Sequence, residues 1–599
     1  MKKTLLLLAL VLLSAARMVA WDFTVGGIYY TKNSDNTTVS VVKNYDAPYS
    51  GKVVIPEKVT WSGKTYTVTA IGKSGFNACS DVTEVVMPNS IKTIESNGFV
   101  RCPKLEKVTM SSSLQSIEDF AFYECESLKD IGTFPNTLTK IGESAFARCK
   151  SLTEVTVPNS VTTIAKWVFS NCAALKKVNL PSGFTQVPPG YVTWCTSLEE
   201  FKIPDTVTEI YYQAFSGCSE LKSITIPSGV KVIQSNTFTK CSSLTNLTLP
   251  SGLTKIENRA FYEAGLTEIS IPASVTEIEE FAFYGCNNLE KVASLGSITK
   301  LHQYTFGKCS SLTSVSLPSK IDTIGQYTFS KCTSLPKIVI PKTVSYLAPT
   351  AFNGCTSLKD LTIDSSNPYY TMLDGVIFNK DKTTIVAYPS AKEGTTYTIP
   401  SSVTTIGQRA FADIINLTNV SIPKSVTSIE ESAFYGCSGL TKISLHEGLT
   451  NIENNAFTNC RGFKEITLPS TLTTMGYGTF EQCTGLTKVY SKMKNPIISY
   501  NQFFDGVKVA DATLYVPIGS KAAYQEAKYW KDFGNIIEMD FSVTKGDVNG
   551  DGQVNVSDVT ALISRILGTA SYADNVCDVN GDGQVNVSDV TALIALILA

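Results

Sequence analysis

Residues 309–329 read CSSLTSVSLPSKIDTIGQYTF, and the fold follows from how often this wording returns along the chain. Its apolar positions are Leu312, Val315, Leu317, Ile321, Ile324 and Phe329; an earlier unit fills the same places with Leu221, Ile224, Ile226, Val230, Ile233 and Phe238. The alternation Val315-Ser316-Leu317 before Pro318 predicts a short strand, and Ile324-Gly325 with the stretch up to Phe329 predicts a tight turn and a helical turn. Cysteine measures the period. Cys79, Cys102 and Cys125 are 23 residues apart (102 − 79 and 125 − 102), and the step continues through Cys149, Cys172, Cys195, Cys218 and Cys241 with one single-residue slip. A unit with about six apolar residues cannot close a core alone, but stacked copies bury one another's faces. Roughly eighteen such units fit between Gly72 and Gly506.

Outside the repeats the pattern changes. Residues 21–66 read as strands and residues 490–540 end in a predicted helix from Ala522 to Trp530; both are expected to cap the open sheet edges of the stack. The period breaks between residues 359 and 400, where YYTMLDGVIFNKDKTTIVAYP, residues 369–389, predicts strands around polar turns and hence a hairpin insertion. This leaves repeats at 67–358 and 401–489. At the front, Lys2 and Lys3 precede the apolar run Leu5–Leu13 and small residues at Ser14, Ala15, Ala16 and Ala20, the pattern of a secretory signal peptide over residues 1–20. The expected product is secreted, extracellular or surface-associated. No later apolar run reaches the length of about 20 residues that spans a bilayer.

The charge, 51 basic against 53 acidic residues, gives no reason to expect nucleic acid as a partner. Fifteen of the 16 cysteines occupy one repeat position, which in an exported protein invites disulfides. Equivalent residues in stacked turns lie about 4.8 Å apart and point the same way, whereas a disulfide wants Cβ atoms near 3.8 Å and turned together, so buried free thiols are the expectation. Ala264 and Ile414 take the cysteine place, which argues for a small apolar role there. Cys577 stands apart and reads as an exposed thiol. His302 and His446 fall at turn positions, and no catalytic set is evident; the chain is not expected to be an enzyme. Glu84, Lys107, Asp130, Glu154, Lys177 and Glu200 share one strand place and read as a solvated face. Thr109, Thr156, Thr225, Thr248, Ser270, Ser316, Thr362, Ser421, Ser444 and Thr467 form a neighbouring hydroxyl column, either ordinary exposed strand positions or a binding surface. Exposed aromatic stripes are scarce in this reading.

The chain closes on a duplication: residues 547–563 and 578–594 both read DVNGDGQVNVSDVTALI. Each copy offers oxygen donors at loop positions 1, 3, 5, 9 and 12, namely Asp547, Asn549, Asp551, Asn555 and Asp558, then Asp578, Asn580, Asp582, Asn586 and Asp589. Gln553 and Gln584 supply backbone carbonyls at position 7, and Gly552 and Gly583 stand where the loop turns sharply. Six to eight hard oxygen ligands around a turn is what Ca²⁺ requires, so two Ca²⁺ sites are expected.

The wording LxxVxLPxxVxxIxxxAFxxC resembles the BspA-like subclass of leucine-rich repeats, over about residues 22–540. The loop–helix pair at 541–599, with Asp at position 12, resembles the dockerin module. Together they imply a β-rich leucine-rich repeat solenoid of the α/β type followed by a small all-α calcium-binding domain. The dockerin resemblance implies docking onto a cohesin-like module of a scaffold protein. It places the contact at positions 10 and 11, here Val556, Ser557, Val587 and Ser588; the basic pair of many relatives is replaced by Ile563-Ser564 and Ile594-Ala595. BspA-like proteins are associated with adhesion, which implies a host matrix protein, another cell surface or a glycan as ligand for the repeats. The alternative is an accessory or catalytic component of an extracellular polysaccharide-degrading complex.

Overall fold

The computed structural model describes residues 21–43, 47–498, 502–541, 545–551 and 553–598; the expected signal peptide, residues 1–20, lies outside them. The described residues run through short β-strands, stacked turn on turn within each unit, to Asn535–Met539, and then into a helical C-terminal region. The chain forms two compact units, one running to Lys380 and including Pro389–Lys392, the other comprising Asp381–Tyr388 and the residues from Glu393 on.

The first unit opens with the antiparallel strands Phe23–Val25 and Ile28–Lys32. Gly26 and Gly27 close that hairpin at φ 57° and 78°, the mirror-type turn that matches strand twist and that glycine adopts without strain. Thr38–Val42 then pairs parallel with Lys64–Ile71, and Lys64–Ile71 passes its register to Thr93–Ile94. From there each turn repeats the geometry: Ser116–Ile117, Lys140–Ile141 and Thr163–Ile164 follow in parallel. A second parallel ladder runs through Ser50–Val54, Asp81–Val86 and Lys107–Thr109.

The stretch Ile324–Phe329 departs from the expected tight turn plus helical turn. Thr323–Ile324 is itself a strand, and the residues after it form a turn segment with Tyr327 and Lys331 at φ 54° and 59°. A helix would turn its amide groups back on itself. In this segment alternate amides donate to the next turn instead, Tyr304 to Gln326 O at 3.0 Å, Phe306 to Thr328 O at 2.9 Å and Lys308 to Ser330 O at 2.6 Å. The backbone polar groups are thus satisfied between repeats on the turn side as well as on the strands.

The core is a set of columns. Rings stack from Tyr49 through Phe76, Phe99 and Phe122 at 4.7 to 4.9 Å, and again from Phe215 to Phe352 at 5.1 to 5.7 Å. All 16 cysteines are free and buried. Those of the ladder do more than fill space: the Cys332 S–H donates to Phe306 O at 3.2 Å, and the Cys309 S–H to Phe283 O at 3.2 Å. Phe306 O already accepts the Cys309 amide, so the thiol satisfies a second lone pair, a part Ala264 and Ile414 cannot play.

Where the period breaks, Asp360–Ile363 still pairs parallel with Lys337–Ile340. The antiparallel hairpin is Tyr370–Leu373 with Val376–Asn379, turned by Asp374 and Gly375. In the second unit Thr384–Ala387 leads a parallel sheet through Thr405–Ile406, Ser428–Ile429, Asn451–Ile452 and Thr474–Met475. Its rings stack from Tyr388 to Phe504, and Trp530 and Phe533 end the column edge-on at 5.6 and 5.3 Å. The predicted helix Ala522–Trp530 is shorter, Lys521–Glu526; the chain leaves it so that Trp530 can bury its ring and donate Nε1–H to Ile497 O at 3.0 Å.

Candidate metal centre

The C-terminal region is built on the helices Val556–Ile566 and Val587–Leu598, with the short helix Asp574–Cys577 between them. Val548, Ala561, Leu562, Val576, Cys577 and Leu593 form its core. Cys577 is therefore not the exposed thiol the sequence suggested; it is fully buried, because the helix Asp574–Cys577 turns it inward, and burial pushes its thiol pKa up.

The first helix begins at a reciprocal cap. Asn555 accepts from the Ser557 amide at 2.8 Å, while Asp558 Oδ2 accepts from the Asn555 amide at 2.9 Å, satisfying donors a helix start leaves orphaned. Asp558 Oδ1 also accepts from the Asn549 amide at 3.1 Å, so one fully buried carboxylate ties the loop entrance to the helix. Asn549 and Asp551 each brace the loop two residues on, accepting from Asp551 and Gln553 at 2.9 Å. One oxygen each of Asp547, Asp551 and Asp558 lies within 4.8 Å of the others.

The second loop repeats this. Asp589 accepts from Asn580 and Asn586 at 3.0 and 2.9 Å, Asn580 from Asp582 at 2.9 Å, and Asp582 from Gln584 at 2.8 Å. Burial pushes the Asp589 carboxyl up, but backbone amide donors led by Asn580 and Asn586 outweigh it and hold the pKa below the ordinary value. At position 1 of the second loop Asp578 accepts from the Gly581, Asp582 and Gly583 amides at 2.7, 3.1 and 3.0 Å, which draws it into the loop. The donor set, oxygen throughout and acidic, suits a hard divalent cation. Gly552 lies outside the described residues.

Beside the loops the two copies expose matching apolar groups. Val556 and Val587 are 71 % and 69 % exposed, and Ile563 and Ile594 are both 42 % exposed. Ser557 and Ser588 stand next to the valines, their amides taken by Asn555 and Asn586.

On the repeats of the first unit, the charged strand place and the hydroxyl column lie side by side. Lys107 pairs with Asp130 at 3.0 Å and Lys291 with Glu268 at 3.0 Å, surface pairs of little energetic weight. Where Thr156, Lys177, Asn179, Glu200, Lys202 and Thr225 meet, they line a trough of about 730 Å³. On the turn side, Trp194 and Tyr212 are 44 % and 41 % exposed. They sit at turn positions, where the strand periodicity carries no signal.

No curated protein matches the chain. Among solved structures it is similar to a leucine-rich repeat protein from Bacteroides ovatus, 26 % identical over 76 % of this chain and 100 % of that one, with a TM-score of 0.42. It is also similar to the T. pallidum leucine rich repeat protein, 28 % identical over 33 % and 91 %, TM-score 0.30. A leucine rich cell surface protein from Faecalibacterium prausnitzii is 23 % identical over 86 % and 94 %, TM-score 0.23. Residues 545–598 match the dockerin type I domain, a calcium-binding module. The BspA type leucine rich repeat region matches at 69–195, 132–245, 174–290, 254–373 and 387–509. Covering well over half of its length, that match shows that the chain belongs to the BspA-type leucine-rich repeat family, with a dockerin type I domain at its C-terminal end.

Proposed function

We propose that this is a secreted, non-catalytic interaction protein: its repeats hold a protein or glycan ligand, and its dockerin domain docks, with calcium, onto a cohesin-like module of a scaffold. The observation that carries the docking half is the doubled loop and helix start, with equal apolar exposure at Val556 and Val587 and at Ile563 and Ile594. Asp547, Asn549, Asp551, Gln553, Asn555 and Asp558 would hold one Ca²⁺, and Asp578, Asn580, Asp582, Gln584, Asn586 and Asp589 a second. Val556, Ser557, Val587 and Ser588 would touch the partner, and the flanking isoleucines favour an apolar partner face over an acidic one. The reading is supported by the match to a calcium-binding domain.

Capture from the extracellular fraction of the producing organism, with the full chain as bait, tests it. A scaffold protein retained with calcium and lost with chelator is the expected result. Calcium-independent retention, or none, would sink the docking reading. The second reading, an accessory component of a polysaccharide-degrading complex, is favoured by the exposed Trp194 and Tyr212.

A further inference from the structure

Each turn of the first unit holds residues at positive φ in the segment after the strand. In successive turns these are Trp167, Gly190, Gln213 and Asn236 at φ 61°, 58°, 57° and 58°, and Trp194, Gly217 and Lys240 at 58°, 76° and 59°. Left-handed backbone normally explains glycine. It does not do so in these turns, because Gln213, Asn236 and Lys240 adopt the same conformation in equivalent places.

The indole rings supply the reason. A Cβ on Gly190 would overlap Cε3 and Cζ3 of Trp167, and one on Gly217 would lie 2.6 Å from Cδ2 and Cε3 of Trp194. Each ring therefore leans one turn forward and rests on a glycine backbone. Further along the Trp167 column an aromatic is followed by another aromatic: Phe281, Tyr304 and Tyr327 stack on one another at 4.9 and 4.8 Å. At Trp167 glycine takes the place of that next ring, and Trp194 is likewise followed by a glycine, Gly217. Tyr212 completes the group, 6.0 Å from Trp167 at 66°, and Lys240 Nζ stands 5.8 Å from the Trp194 ring. The glycine turns are neighbours, since the Gly190 amide donates to Tyr212 O at 3.1 Å and the Trp194 amide to Ser216 O at 2.6 Å.

We propose that Trp167, Trp194 and Tyr212 form a platform for a pyranose-based polysaccharide lying along the turns. This rests on the reading of the repeats as a ligand-binding surface and names the ligand class. An indole or phenol face carries partial negative charge, which attracts the polarised C–H face of a sugar ring. The rim supplies what sugar hydroxyls need, the amides of Gln213 and Asn236 and the ammonium of Lys240.

The test is native electrophoresis of the full chain through gels containing xyloglucan, arabinoxylan, polygalacturonate or mucin glycans, with chelator present so that calcium-dependent docking plays no part. At least one polysaccharide is expected to retard the protein and shift its tryptophan emission. Trp167→Ala and Trp194→Ala are each expected to weaken that retardation by about tenfold, the scale of one lost stacking contact. Tyr212→Ala, at a ring more exposed than Trp167, gives the same readout if an indole variant fails to fold. Gly190→Gln keeps both indoles but expels Trp167 from its seat, and is expected to weaken binding while circular dichroism shows the repeats still folded. Trp61→Ala, at an exposed tryptophan of the N-terminal strands, is expected to bind normally. Retardation by none of the four, or undiminished retardation in the Trp167, Trp194 and Tyr212 variants, overturns the proposal. If the chain then captures a protein ligand through its repeats, the ligand-binding reading survives without the glycan.

Discussion

Phe306 lies between Phe283 at 5.2 Å and Phe329 at 5.7 Å, its ring fully buried. Removing it leaves a cavity that two rigid neighbours cannot fill, so Phe306→Ala is expected to cost about 3–5 kcal/mol, read from chemical denaturation of the full chain. The thiol beside it has a different energetic signature. Burial pushes Cys172, Cys218, Cys286 and Cys483 up to about 12 from an ordinary 9.0. Between those values an unfolded chain loses protons that the folded chain keeps, so stability is expected to fall as pH rises from about 9 toward 12, while below 9 these thiols add no pH dependence. A stability curve flat across that window would contradict the buried-thiol assignment. Alkylation is expected to label the ladder only after unfolding. The burial of these residues was legible from the 23-residue step of the cysteines; the S–H bond to the preceding turn's carbonyl was not, since it depends on which lone pairs the stacking leaves over.

Two kinds of element build the molecule, the repeat turn and the loop–helix start. In the turn, left-handed residues send amides to the next repeat, a geometry hidden from periodicity because Tyr327, Gln213 and Arg259 give no turn signature of their own. The loop–helix start is the reverse case: DVNGDGQVNVSDVTALI states its own cap and its own donors. Asp558 accepts from both Asn549 and Asn555, so Asp558→Ala is expected to lose the cap, about 1 kcal/mol, and with it the calcium affinity of that loop. Calorimetric titration of the full chain with calcium is expected to show two bound ions, and one in the Asp558 variant. Two ions in that variant would remove Asp558 from the ligand set.

Over the whole molecule, two ways of making a core stand in one chain. The repeats satisfy their backbone polar groups from turn to turn. The C-terminal region brings Asp547, Asp551 and Asp558 together, and carboxylates so placed repel one another until a cation joins them. Chelation is therefore expected to abolish the melting transition of residues 545–598 while leaving that of the repeats in place. A calorimetric trace unchanged by chelator would show that the helical core of Leu562, Cys577 and Leu593 suffices by itself.

The sequence by itself determined the repeat, its apolar positions, the helical calcium-loop domain and the change of pattern near residue 360, because each is written in local spacing and local chemistry. Tertiary structure alone decided what happens across turns. It made Thr323–Ile324 a strand, turned Cys577 inward, and set Trp167 and Trp194 on glycines one repeat away. The strand and the seated indoles depend on residues that meet only when turns stack, about 23 positions apart in sequence and one inter-strand spacing apart in space; Cys577 depends on the packing of the C-terminal helices around it.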